Sequence, residues 1–201
     1  EATIRELVTG VIDALSGAGW ATEVILVCDR PRDGSWNVAR ELAATTDGVI
    51  AILLRRNYGQ HPATLLGIRS ARGQTIVTMD EDLQHAPLDV PALVAASRER
   101  QAIVYGVARS LQHEFWRNLA SRTAKLLLRQ SLGFSAATDL TAFRAFPAEL
   151  RDAFENYRGW IGAIDVLLSW SGAAVTTLAC EHAPRREGRS GYTLRKLLNY
   201  L

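Results

Sequence analysis

Apolar residues recur at spacings of three and four along the start of the chain: Ile4, Leu7, Val8, Val11, Ile12 and Leu15. That period predicts a helix with one buried face, ended by Gly17 and Gly19. The next apolar run is continuous, Glu23 to Asp29, and reads as a buried strand that finishes on an acid. Ser35 is placed to cap a second helix reaching about Thr45. Val49 to Leu54 is a second apolar strand, His61 to Arg72 is helical, and Thr75 to Asp80 is a third strand. A loop, a helix from about Leu88 to Arg100 and a fourth strand, Ile103 to Val107, follow. Strands that are apolar throughout and alternate with helices predict an α/β fold, Rossmann-like, its mainly parallel sheet covered by helices on both faces.

From about Ser110 the pattern changes. A long helix is expected over Glu114 to Leu132, then short strands near Thr141 to Phe146 and Ala174 to Cys180, with helices between them. With 201 residues the chain suits one domain and is short for two. Cys28 and Cys180 lie inside apolar β-type runs and read as small buried hydrophobes, not as a disulfide framework. No run approaches the roughly 20 apolar residues of a membrane span, so the visible chain is expected to be soluble.

Net charge is only +2, but its distribution is uneven. Arg98 to Arg129 holds seven Arg or Lys against two Glu, and His182 to Leu201 holds five against one. Such stretches suit phosphate-bearing ligands or an anionic membrane surface, or are solvated helix faces; nucleic acid is not an expected partner.

In α/β sheets of this kind ligands bind beyond the carboxyl ends of the strands, where Asp29, Arg55 to Asn57 and Asp80 to Gln84 all fall. The sharpest signal is Asp80-Glu81-Asp82-Leu83-Gln84. In extended chain, residues two apart point the same way, so Asp80, Asp82 and Gln84 would present oxygens to one side. Hard divalent cations want oxygen ligands, and Mg²⁺ or Mn²⁺ takes few carboxylates and completes its shell with substrate phosphates. An acidic surface loop is the plainer reading. Asp29 is placed to accept hydrogen bonds from a nucleobase or ribose, and Asp33 reads as a turn former. Arg56, Asn57 and Gln60, at the start of the His61 helix, suit an anion, while His61 itself reads equally as a packing residue. Near the end, Arg185-Arg186-Glu187-Gly188-Arg189-Ser190-Gly191-Tyr192 is a flexible basic loop able to close over phosphates, Ser190 included.

Taken in order, Val27 to Ser35, Arg56 to His61, Met79 to Gln84 with Pro87 and Pro91, Arg117 to Arg122, Asp139 to Arg144 and Arg185 to Tyr192 resemble the family 2 glycosyltransferases. The resemblance is especially to the branch of polyprenyl-phosphate sugar synthases akin to dolichol-phosphate mannose synthase. The resemblance implies the A-type glycosyltransferase fold in one catalytic domain, with a nucleotide-binding part over about 1–109 and an acceptor side over about 110–201. It implies a nucleotide-diphosphate sugar donor and inversion at the anomeric carbon. It further implies that Asp29 contacts the nucleotide, that Asp80, Asp82 and Gln84 hold the metal, and that Arg109, Arg117 and Arg185 hold phosphates. Two departures stand out: Arg30-Pro31-Arg32 replaces the usual small turn residues, and Glu81 stands where a small residue is common. The family's first strand, expected before Glu1, and the membrane helices expected after Leu201 suggest a chain trimmed at both ends.

The acceptor stays open between a polyprenyl phosphate and a glycan hydroxyl. A lipid phosphate is already ionised near neutral pH and needs no base. A hydroxyl needs one, with Asp165 or Asp139 the candidates; Asp165 also reads as a helix N-terminal acid. A sugar nucleotidyltransferase and a catalytically dead binding domain are the remaining rivals. Phe115, Trp116, Leu119, Leu126 and Leu127, interleaved with Arg117, Arg122, Lys125 and Arg129, predict either a core helix or one lying on the cytoplasmic membrane surface, with Leu194 to Leu201 as a second basic-apolar contact.

Overall fold

A computed structural model describes residues 2–108, 141–159, 164–181 and 183. Its elements run α1 (Ala2–Gly17), β1 (Val24–Cys28), α2 (Ser35–Thr45), β2 (Val49–Leu53), α3 (Gln60–Ser70) and β3 (Thr75–Thr78). A 3-10 turn, Pro87–Asp89, leads into α4 (Val90–Arg100) and β4 (Ile103–Ala108). Then come β5 (Arg144–Pro147), a 3-10 stretch (Ala148–Phe154), α5 (Ile164–Ser169) and β6 (Val175–Cys180). The predicted helix over 114–132 lies outside the described residues.

Two local expectations change. Ser35 is the first residue of α2 and not its cap; Asp33 Oδ1 accepts the Ser35 N–H at 3.1 Å, with Gly34 between them. An Asp side chain reaches the backbone two residues on, which a Ser already inside the helix cannot do for its own N–H. The hydrogen bonds from Ser35, side chain first and backbone second, hold the Asp33 carboxyl below its usual range. The third strand also stops at Thr78, two residues short of the acid expected to end it.

β1 and β2 pair in parallel, Val24 opposite Val49 through Cys28 opposite Leu53. The other four strands form a sheet in the order β3-β5-β4-β6. β4 and β6 are parallel, while β5 is antiparallel to both β3 and β4. So β3, β4 and β6 share one direction, and β5 alone opposes them. Its first residue, Arg144, therefore stands level with Thr78 at the end of β3 and with Tyr105 in β4. A strand of reversed direction was not part of the mainly parallel pattern, since local hydrophobicity carries no sign of strand direction.

Both faces of the four-stranded sheet are buried. Ile103 and Tyr105 of β4 face a core with Leu65 and Ile68 of α3, Phe154, and Ile164, Leu167 and Leu168 of α5. Between them Val104 turns the other way, into a core with Leu15 of α1 and Val90, Leu93 and Val94 of α4. A third cluster, Ile4, Val8, Leu42 and Val49, seats α1 and α2 against β2. The far end of α3 is clasped by Arg69, whose Nη2 donates to the carbonyls of Phe154 (3.2 Å), Glu155 (3.1 Å) and Tyr157 (2.7 Å). This fixes where the other end of α3 meets the strand edge.

Cys28 is half-buried and Cys180 buried, and neither is in a disulfide. Cys180 and Phe143 press on Gly106 of β4: a Cβ there would sit 2.8 Å from Phe143 Cε1 and 3.1 Å from Cys180 Sγ. Gly106→Ala should therefore overpack this core and cost about 1–3 kcal/mol. Urea unfolding measures it, and Phe143→Leu in the same chain should return part of the loss, since the two positions are in contact.

Candidate active site at the carboxyl ends of the strands

Three loops meet at the edge where β1, β2 and β3 end. Asp29 follows β1, and its two carboxylate oxygens accept the N–H groups of Tyr58 and Gly59, each at 2.7 Å. Asn57 Nδ2 donates to the Asp29 carbonyl at 3.1 Å, and Arg30 Nη1 to the Arg55 carbonyl at 2.9 Å. Asp29 thus stitches the end of β1 to the loop between β2 and α3. Gly59 has φ +97, a backbone that side chains resist, and it turns its N–H onto the acid just before α3 begins. Arg30 has φ +52, in the left-handed region where small residues are at ease. Its guanidinium bond to Arg55 holds it there. The Arg56 guanidinium lies over the exposed Tyr58 ring, 4.6 Å from its centroid.

Beyond β3 the chain curls. Asp80 and Asp82 are half-buried and Glu81 is exposed. Gln60 Nε2, from the first residue of α3, donates to Asp80 Oδ1 at 2.6 Å. Asp82 Oδ1 accepts the Gln84 N–H at 3.1 Å, and Leu83 turns at φ +57 with its side chain buried. The two acids are therefore set by a turn and not by the alternation of an extended strand, as expected above. The exit of β6 is laid against this turn: Ala183 N–H donates to the Gln84 carbonyl at 2.9 Å, and Glu181 N–H to Asp89 Oδ2 at 3.0 Å.

Behind the acids lies a buried polar cluster whose association sequence reasoning did not find. Arg144 is 3% exposed and pairs with Asp165 of α5. Tyr105 OH donates to Asp165 Oδ1 at 2.7 Å, and Arg144 Nε donates to Thr78 Oγ1 at 3.1 Å. Thr78 Oγ1 in turn donates to the Ala142 carbonyl at 2.7 Å. Burial, and next the Asp165 charge, push the Tyr105 hydroxyl far above its ordinary pKa, so it remains a donor. Asp165, a candidate base by sequence, is here the partner of an arginine and a tyrosine. The signs in the sequence were an arginine inside the apolar run Phe143 to Pro147, closing the family-like stretch Asp139 to Arg144, and the candidate acid Asp165; their pairing was not visible.

The model of the family described as glycosyl transferase family 2 matches residues 1–158. The chain belongs to that family. Among curated relatives of this family 2 chain, the undecaprenyl-phosphate 4-deoxy-4-formamido-L-arabinose transferase of Pseudomonas aeruginosa is 32% identical over 203 residues, covering 100% of the chain and 60% of the relative. The protein of the same name from Edwardsiella ictaluri is 30% identical over 200 residues, covering 99% and 62%. The chain thus spans about 60% of the length of these relatives. Among solved structures, mannosyl-3-phosphoglycerate synthase from Rubrobacter xylanophilus superposes with a TM-score of 0.60 at 16% identity, over 98% of this chain and 66% of the other. Glucosyl-3-phosphoglycerate synthase from Mycobacterium tuberculosis, in complex with Mn²⁺, UDP-glucose and glycerol 3-phosphate, gives 0.56 at 19%, over 100% and 72%. These likenesses establish the A-type glycosyltransferase fold.

The donor set of this family 2 site suits an ion that asks little of the protein. Among the described residues no group of three His, Cys, Asp or Glu is set to hold a metal. Asp80 and Asp82 offer two hard oxygen donors on one turn, which fits Mg²⁺ or Mn²⁺ completing its shell with phosphates and water. Of the residues expected at the site, Asp29, Arg56, Asn57, Gln60, Asp80, Asp82 and Gln84 gather on this edge, with Asp165 behind it. Arg109, Arg117, Asp139, Arg185 and Ser190 lie outside the described residues.

His61, beside Gln60, is half-buried and within electrostatic reach of the ion pair. Burial lowers its pKa below the ordinary 6.5, Asp165 opposing and Arg144 adding to the drop. The folded state therefore keeps His61 neutral where the unfolded chain takes up a proton. Its contribution to stability is present above pH ~6.5 and is lost as pH falls toward the folded pKa. His61→Gln should lose less stability than the parent between pH 7.5 and 5.5, read by urea unfolding at both. Equal losses would place His61 outside this linkage.

Proposed function

We propose that this chain is the catalytic domain of an inverting glycosyltransferase that moves a sugar from a nucleotide-diphosphate sugar to a polyprenyl phosphate. The observation that carries the reading is the Asp80–Asp82 turn, held by Gln60 at the carboxyl edge of the sheet in a family 2 chain. Its similarity over the whole length to relatives named as undecaprenyl-phosphate sugar transferases supports the acceptor class. Asp80 and Asp82, with Gln84, would hold Mg²⁺ or Mn²⁺, which neutralises charge growing on the departing diphosphate. Asp29 keeps unused lone pairs for the nucleoside, while its bonds to Tyr58 and Gly59 set the wall against which the donor lies. Arg56, Asn57 and Gln60 stand beside that wall, and Arg109, Arg117, Arg185 and Ser190 are the further candidates for holding phosphate.

The acceptor phosphate is its own nucleophile, so positioning and charge stabilisation carry the reaction. A glycan hydroxyl is the alternative acceptor and needs a base, Asp165 or Asp139. The engagement of Asp165 by Arg144 and Tyr105 favours the phosphate. Asp80→Asn and Asp82→Asn should each lower transfer by about a thousandfold or more, the several kcal/mol that charge neutralisation is worth, with melting temperature little changed. Labelled nucleotide sugars with polyprenyl phosphate in detergent provide the assay. The matching polyprenol, which lacks the phosphate, should accept nothing. Undiminished transfer in either Asn variant would end the reading, and glycosylated polyprenol would move it to a hydroxyl acceptor.

We further propose that the enzyme works at the cytoplasmic face of a membrane, where such an acceptor resides. Among the described residues no helix is long and apolar enough to cross a membrane. The support is the two basic-apolar stretches, 114–132 and 194–201, since paired weak contacts hold what one cannot. Co-sedimentation should require anionic vesicles, weaken with salt and drop when Arg122, Lys125 and Arg129 become Gln. Equal recovery in the supernatant with and without anionic vesicles would refute surface binding.

A further inference from the structure

We propose that Arg144 is a positioning residue for Asp80, acting through the Thr78 hydroxyl, with Asp165 as its fixed counter-ion. This rests on the reading of Asp80 as a metal ligand. Thr78 is the last residue of β3 and stands opposite Arg144 in the ladder. Its hydroxyl is doubly committed, accepting from Arg144 Nε at 3.1 Å and donating to the Ala142 carbonyl at 2.7 Å. Both bonds fix one rotamer and pin the strand where the chain departs toward Asp80, two residues on. Asp80 is gripped from a second direction by Gln60 of α3 at 2.6 Å. The Asp80 carboxylate is thus located by two independent anchors, one along its own strand and one across from the neighbouring helix.

The ion pair makes the first anchor rigid. Arg144 is kept from swinging away from Thr78 because its Nη1 is held on Asp165, and Asp165 is held in turn by Tyr105 OH at 2.7 Å. Apolar residues of similar volume would fill such a space without the cost of desolvating two ions, so stability alone is a poor reason for the pair. What it supplies is a charged donor at a set place under the strand end. Groups that orient a metal ligand from behind are typically worth about 10–100-fold in metal affinity.

The test uses the whole chain and reads Mn²⁺ binding directly, from the EPR signal of the free ion, in the presence of UDP or GDP. Thr78→Val keeps the shape and removes the hydroxyl; Thr78→Ser keeps the hydroxyl. Thr78→Val should weaken Mn²⁺ binding about tenfold or more and raise the Mn²⁺ concentration for half-maximal transfer by the same factor, with Thr78→Ser close to the parent. Arg144→Lys, which keeps the charge for Asp165 but loses the Nε donor, should match Thr78→Val and decides the matter if that variant does not fold. A purely structural role would lower the melting temperature of Thr78→Val and Arg144→Lys and leave the Mn²⁺ constant within twofold, which overturns the proposal. Asp80→Asn is measured beside them. If it too binds Mn²⁺ like the parent, the metal reading of the acidic turn falls; if it alone loses Mn²⁺, only the positioning role does.

Discussion

The charge of Arg144, carried into the protein at 3% exposure, constrains everything around it. Taking a guanidinium and a carboxylate out of water costs several kcal/mol for each ion, and only close contact with further hydrogen bonds offsets that. The Asp165 partner comes from α5, the hydroxyls from Thr78 of β3 and Tyr105 of β4, and the arginine itself from β5. Four elements must therefore reach their final positions together before any one of these groups is satisfied. This is possible only because β5 runs against its neighbours, which sets its first residue beside the carboxyl end of β3. Had β5 run with them, that end of the strand would hold Pro147, which has neither charge nor N–H.

A second constraint joins the loops in front of the cluster. Asp29 gives both oxygens to backbone N–H groups of Tyr58 and Gly59, and Gln60, the next residue, gives its amide to Asp80. A continuous chain of contacts runs from the end of β1, through the start of α3, to the end of β3. The clasp of Arg69 on three carbonyls at the far end of α3 keeps that helix from sliding along its axis. The acids near the ligand edge are in this way held by charge-assisted bonds on short turns, which fixes them more tightly than loops alone do.

In the proposed reaction such rigidity has a clear use. With an ionised phosphate as acceptor there is no proton to remove, and the protein contributes by holding charges in place. A carboxylate spare for proton transfer is then unnecessary, and Asp165 is available as a counter-ion. The same feature leaves Asp165 ill placed to act as a base, since its Oδ1 is already engaged by Arg144 and by the Tyr105 hydroxyl.

The α/β alternation, the approximate extent of β1, α2, β2 and β4, and the clustering of Asp29, Asn57, Gln60, Asp80 and Asp82 at one edge were all legible in the residues. Each follows from something local: a hydrophobic period, an unbroken apolar run, an acid just past a strand. The family motifs were legible for the same reason, being short and contiguous. The direction of β5 was not, because strand pairing is settled by the packing of the whole sheet and not by the four residues of the strand. Nor were the backbone partners of Asp29, which lie 29 and 30 residues away. The pairing of Arg144 with Asp165 was not legible either: one ended a family-like stretch inside an apolar run, and the other read as a base or a helix acid. A side chain's chemistry states which bonds it is able to form, and the sequence determined that much. Which partner stands within 3 Å depends on strand order and helix placement, and only the tertiary structure decided it.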